Sequence, residues 1–242
     1  MNKILSFLFI LLLVLMCACK TNATQPVKSE ATTTKEYSVG AFSSLEVYNA
    51  IGVKYSQSKQ TKMVVSATPT ALQYLQVKVK GGKLSIYFDT PQGFKGHLTA
   101  SVTLSGPTLN GITAFNSSDI EVVTPFKGET MKIESYNSAE VEFKKTVELK
   151  TLNIGAFNSA EVEISELEAN HVTAQSYNSA DIDLGGTATK VSLEAYNTGG
   201  IDASELVAKS GKATAFNAGS IKCNVTDLQL ERYNGGKIKN LK

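Results

Sequence analysis

Arginine is almost missing from this 242-residue chain: Lys and Arg together number 24, and Arg232 is the single arginine. Residues 111–221 carry sixteen acids against eight lysines. An acidic surface without guanidinium groups excludes nucleic acid as a partner. Histidine is nearly as scarce: His97 and His171 lie far apart with no motif around either. There is no HExxH pair, no Gly-x-Ser-x-Gly elbow and no phosphate loop, so the sequence assigns no catalytic residue, no metal ligand and no cofactor. Of three cysteines, Cys17 and Cys19 sit near the N-terminus, which leaves Cys223 as a buried free thiol and excludes a disulfide framework. The one long apolar run, Ile4 to Met16, is too short for an ordinary membrane-spanning helix.

What the chain has in abundance is one phrase: aromatic, Asn, small, small, any residue, Ile or Val. Its aromatics are Phe115, Tyr136, Phe157, Tyr177, Tyr196, Phe216 and Tyr233, spaced by 21, 21, 20, 19, 20 and 17 residues. Count from the aromatic as position zero. Positions −5, −3 and −1 are apolar or small (Met131, Ile133, Ser135), and so are +3, +5 and +7 (Ala139, Val141, Phe143). Residues two apart share one face of a strand, so each repeat reads as a half-buried strand, a bend and a second half-buried strand. The helical recurrence at three and four is absent from the repeats. A period near twenty built this way predicts an all-β parallel solenoid of about seven rungs.

Asn follows every ring: Asn116, Asn137, Asn158, Asn178, Asn197, Asn217 and Asn234. Asn tolerates the left-handed backbone of a tight bend. Rungs lie roughly 4.8 Å apart, so the seven carboxamides are expected to form a ladder. Unbroken alternation through the bend would turn the Asn side chains inward and the rings outward.

Residues 1–18 read as a signal peptide: Lys3, an apolar stretch, then Cys17-Ala18-Cys19. Leu15 to Cys19 resembles a bacterial lipobox, with Cys19 as the lipidated residue and thus a membrane anchor; ordinary cleavage near Ala23 is the alternative. Residues 19–36, rich in Thr and Ser, read as a flexible tether. Residues 37–110 form a less regular β-rich head that caps the open end of the solenoid, residues 111–242. Within the head, Tyr48-Asn49-Ala50-Ile51 is a degenerate copy of the phrase. Residues 70–75 could make one helical turn after Pro69, Gly81-Gly82 reads as a two-residue hairpin turn, and 97–104 as a strand.

Charge divides the chain: +5 over residues 37–110 and −8 over 111–221. Much of the acid lies at +4 and +6: Asp119 and Glu121, Glu140 and Glu142, Glu161 and Glu163, Asp181 and Asp183. These columns are either a solvated face that resists edge-to-edge association or a divalent-cation surface, although no EF-hand pattern accompanies them. The ring column has three readings: self-stacked rings that stabilise the bends, an outward stripe that binds glycan or a surface protein, or core.

The lipobox, the strands Phe42-Ser43-Ser44-Leu45-Glu46-Val47 and Ala50-Ile51-Gly52-Val53-Lys54-Tyr55, and the small-residue bends resemble a family of Bacteroidetes proteins. It is named putative auto-transporter adhesin, head GIN domain. The resemblance covers roughly residues 37–240. It implies a right-handed, three-faced parallel β-helix in a cell-envelope lipoprotein, and it supplies no catalytic residues. Family members usually bend at Ser-Gly-Gly or Ser-Gly-Ser, where this chain has an aromatic, Asn and Ser. The resulting expectation is a non-enzymatic outer-membrane lipoprotein that engages glycan or protein along a solenoid face. The rivals are a purely structural envelope protein and a β-helix carbohydrate-active enzyme.

Overall fold

The computed structural model describes residues 30–242. The expected signal peptide, Cys19 and the first part of the expected tether lie outside the described residues. Those from Ala31 to Lys242 form one compact unit. It is a parallel β-helix of about six turns, with three strand faces per turn.

The head opens with β1 (Thr33–Tyr37), β2 (Ser44–Tyr48), β3 (Ile51–Gln57) and β4 (Lys62–Ala67), followed by α1 (Pro69–Tyr74). Then come β5 (Leu75–Lys80), β6 (Lys83–Phe88) and β7 (Ala100–Gly106). The regular rungs start with β8 (Gly111–Phe115) and β9 (Asp119–Val122).

The first face carries the strands that end at the rings, paired in parallel so that Tyr136 lies between Phe115 and Phe157. The second carries the strands after the bend, where Val141 lies between Ile120 and Val162. The third is short, with Phe126 beside Val147 and Val147 beside Leu167. Inward positions stack like on like. Ile112, Ile133 and Ile154 make one fully buried column, and Ile120, Val141, Val162, Ile182 and Ile201 another. Cys223 falls at an inward position as a buried free thiol, and burial raises its pKa. Buried Ser135 and Ser176 donate across the bend to the carbonyls of Ala139 and Ala180 at 2.8 and 2.5 Å, so the narrow corner stays satisfied.

The head is built to end the sheets. β2 and β3 continue the solenoid, stacked in parallel on β8 and β9. Beyond them β5 pairs antiparallel with β6, β4 with β7, and β1 with β4. Parallel growth therefore stops at edges that carry Lys78, Lys80 and Lys35, a device that resists further strand addition. The helical turn forms as expected, capped by Thr68 Oγ1 accepting from Ala71 N at 3.2 Å. Gly81 and Gly82 take positive φ of 58° and 76° in the expected hairpin turn.

Three expectations need correction. The tether does not run to residue 36, because Thr33–Tyr37 is a strand whose register sets Tyr37 opposite Met63. Its side chains are mostly exposed, so backbone pairing holds it and no apolar alternation announces it. The strand expected over 97–104 begins at Ala100, and His97 belongs to the preceding loop. Finally, the Asn side chains point outward and are exposed. Two consecutive residues at each bend take positive φ, 54° and 61° at Asn116 and Ser117 for example, and this double left-handed step breaks the alternation that would have turned Asn inward.

Candidate functional site

Each bend is a four-residue turn with both central residues left-handed. At six of the seven bends the amide of the residue at +3 donates back to the ring residue's carbonyl, at 3.3 Å for Ala139 to Tyr136 and 2.9 Å for Gly199 to Tyr196. Because every rung turns at the same place, side chains at the bend meet their own kind one rung away.

The rings stack face to face. Centroid separations run from 4.5 Å for Tyr177–Tyr196 to 5.1 Å for Phe157–Tyr177, with planes within 11° of parallel. Tyr48 extends the stack beyond Phe115 at 4.6 Å, and Tyr87 closes it edge-on at 6.3 Å. Interior ring faces are thus covered by neighbouring rings, and their edges face solvent. Tyr233, with a neighbour on one side, is 46% exposed. The rings also lean back over position −2. At three of the four tyrosines of the repeats that position is Glu and offers a partner: the hydroxyls of Tyr136, Tyr196 and Tyr233 donate to Glu134, Glu194 and Glu231 at 3.2, 3.0 and 3.3 Å, whereas Gln175 beneath Tyr177 donates to Glu194. Burial, with the Glu194 carboxylate, raises the Tyr196 phenol well above the ordinary tyrosine range. Beneath Phe157 the residue is Gly155, where a Cβ would come within 2.8 Å of the ring.

Beside the rings runs the amide ladder. Asn137 Nδ2 donates to Asn116 Oδ1 at 2.9 Å, Asn158 to Asn137 at 3.0 Å and Asn178 to Asn158 at 2.9 Å. The series continues through Asn197, Asn217 and Asn234 at 3.2, 3.0 and 3.1 Å. At the head end Asn116 donates to Asn49 at 3.2 Å. Tyr48 and Asn49 therefore belong to both columns, although the irregular sequence after them sets them apart from the seven regular copies. Outside the amides lies a third exposed column, Ser117, Ser138, Ser159, Ser179 and Thr198.

The second face gathers the acids into two columns. Register aligns Asp119, Glu140, Glu161 and Asp181 in one, and Glu121, Glu142, Glu163, Asp183 and Asp202 in the other. Burial, then neighbouring carboxylates, raises the pKa of Asp119, Glu140 and Asp183. Lysines flank the columns: Lys54 meets Glu121 at 3.0 Å, Lys222 meets Asp202 at 2.8 Å, and Lys144 pairs with Glu142. No group of three or more His, Cys, Asp or Glu side chains among the described residues is placed to hold a metal ion.

Asp183 and Asp202, opposite each other in register, line a hollow of about 260 Å³ with Glu163 and Glu205. Their pKa values shift in opposite directions. Burial also raises that of Asp202, but hydrogen bonds from Lys222 and Ser204 outweigh it. That divergence comes from an ion pair, and it leaves Asp202 engaged rather than poised for chemistry.

The raised carboxyls carry a consequence for stability. A carboxyl whose folded pKa is raised binds its proton more readily in the native state, so stability falls as pH rises from the ordinary carboxylate range through the raised values. Asp202 and Glu231, each held below the ordinary range by a lysine partner, oppose this, but the three raised groups outnumber them. Removing one charge, as in Glu140→Gln, is expected to raise the neutral-pH Tm by about 1–3 °C at low salt. Acidifying the unaltered protein toward the carboxylate range should also raise Tm. Thermal melts across pH and salt check both, and a Tm unchanged by either step would refute the strain.

The family model described as "Putative auto-transporter adhesin, head GIN domain" matches residues 41–241. The chain belongs to this family. Solved structures share the fold. A putative lipid binding protein from Parabacteroides distasonis superposes with a TM-score of 0.77 at 19% identity, over 88% of this chain and 98% of that one. A putative adhesin from the same organism gives 0.78 at 19%, and one from Parabacteroides merdae 0.77 at 20%, with the same coverage. No curated protein matches. The GIN-domain assignment agrees with the solenoid and its strand-capped head.

Proposed function

We propose that this GIN-domain chain is a non-enzymatic binding module of the cell envelope, held to the outer membrane by lipid on Cys19, and that it takes an extended glycan along its bend corner. The supporting observation is the unbroken corner from Asn49 to Asn234, where a carboxamide, a small residue and a ring edge recur at every rung. A linear, hydroxyl-rich polymer laid along the solenoid axis would meet the same donors and acceptors rung after rung. Because the ring faces are spent on each other, the corner offers hydrogen bonds and ring edges rather than flat stacking platforms. The family description as an adhesin agrees with a binding role. The core columns are packed with aliphatic side chains, which supports a reading of recognition on the exterior.

The test is a glycan array probed with residues 31–242, beside the triple variant Ser138→Asn, Ser159→Asn, Ser179→Asn. Asn accepts the left-handed backbone at these positions but fills the outer column. The reading predicts binding of a linear glycan by the parent and its loss, at about unchanged Tm, in the variant. No binding by the parent, or equal binding by both, would refute it.

A further inference from the structure

The amide ladder has a direction, and its direction singles out one end. Every Nδ2 donates to the Oδ1 of the preceding rung, from Asn234 through to Asn116, whose own Nδ2 donates to Asn49. Asn49 Nδ2 closes the series and donates to no protein group among the described residues. Aligned amides polarise one another, so the last donor is strengthened, and the column carries its positive end at Asn49, much as a helix does at its N-terminus.

The fold interrupts the bend at that same end. β6 stacks on β2 with Ile86 opposite Val47, which carries Tyr87 to the ring position and Phe88 to the amide position. β7 rejoins the register with Ala100 opposite Ile51. Other rungs place one residue between these points, as Ser117 lies between Asn116 and Ser118. Here residues 89–99 do so, and the loop folds into a wall. Phe94 is anchored edge-on against Tyr74 at 5.1 Å. The result is a hollow of about 370 Å³ lined by Phe88, Phe94, His97 and Leu98 on one side and by Asn49 and Asn116 on the other. Apolar walls around a few convergent polar groups, at this volume, fit a small-molecule site.

We infer that this hollow binds the terminal N-acetylated sugar of the glycan, its acetamido carbonyl accepting from Asn49 Nδ2 while the methyl group and sugar face pack against Phe88 and Phe94. The inference rests on the corner as a glycan surface and names the chain end that it captures. An acetamide carbonyl is a stronger acceptor than a hydroxyl, and its methyl group suits an apolar wall. A sugar without it would leave the donor unpaired on burial, and that loss is the source of selectivity.

The probes are tri-N-acetylchitotriose and cellotriose, which share a linkage and differ by the acetamido groups. They are titrated calorimetrically into residues 31–242 and into Asn49→Asp. Aspartate accepts from Asn116 and tolerates the left-handed backbone, but when ionised it cannot donate. The parent is expected to bind chitotriose at least about tenfold more tightly than cellotriose, and Asn49→Asp to bring the ratio close to one. Equal affinities in the parent, no binding of chitotriose, or a ratio unchanged in Asn49→Asp would overturn the inference. Both sugars binding equally, with binding lost in the Ser-to-Asn corner variant, would keep the corner and reject the hollow.

Discussion

Replacing Phe157 by Ala is expected to lower the unfolding free energy by about 2–3 kcal/mol and Tm by about 4–10 °C. The ring stacks on Tyr136 at 4.7 Å and on Tyr177 at 5.1 Å, and it covers the backbone at Gly155. Truncation removes two aromatic contacts, each worth about 0.5–1.5 kcal/mol, together with buried apolar area. Nothing nearby can fill the gap, because the residue beneath has no side chain. The effect should be positional. Tyr233 at the tail has one stacked neighbour and is 46% exposed, so Tyr233→Ala should cost under about 1 kcal/mol. Urea unfolding of the two variants measures the contrast. If Phe157→Ala costs no more than Tyr233→Ala, the stack is not a stabilising unit.

The second large effect concerns the ladder, and a pair of substitutions separates its two components. Asn158 holds φ at 56° and exchanges hydrogen bonds with Asn137 and Asn178. Asn158→Ala loses both hydrogen bonds and forces a Cβ-bearing residue without a polar side chain into the left-handed region, at a combined cost of about 2–3 kcal/mol. Asn158→Gly loses the same bonds but accepts the backbone freely, so about 1–2 kcal/mol is expected. Because each rung contacts only its neighbours, either loss should weaken coupling between the two halves of the solenoid. Denaturation curves of both variants report the difference. Equal costs would place the whole contribution of Asn158 in the hydrogen bonds.

Much of the architecture was legible before any coordinates. Ile133, Val141 and their equivalents recur two apart on either side of an Asn, and only a strand-bend-strand unit buries that pattern. The spacing near twenty then makes each unit's partner the next copy. The bend was legible for the same local reason: Asn, and in the last repeat Asn-Gly, are residues that take positive φ at low cost. What escaped notice had no side-chain signature. Thr33–Tyr37 pairs through its backbone with exposed side chains, so its residues read as tether. The outward turn of the carboxamides came from a second left-handed residue, which in all but the last bend is Ser, Thr or Ala, residues whose sequence preference for that conformation is weak. Position −2 beneath the rings, Glu under Tyr136 and Gly under Phe157, becomes meaningful only when the ring is seen to lean over it.

By itself the sequence determined a stack: which residues repeat, which aliphatic positions face inward, and that like side chains must meet one rung apart. Those are consequences of neighbouring copies and of a rung spacing that every sheet shares. Only the tertiary structure decided where the stack ends and in what sense it runs. That Tyr48 extends the ring stack depends on contact with Phe115, 67 residues away, and the loop 89–99 lies beside Asn49 because β6 and β7 stack on β2 and β3. The ladder's direction is likewise collective. One amide can point either way, but each donor needs the acceptor beside it, so the column adopts one sense throughout and leaves Asn49 as the one carboxamide whose Nδ2 makes no ladder bond.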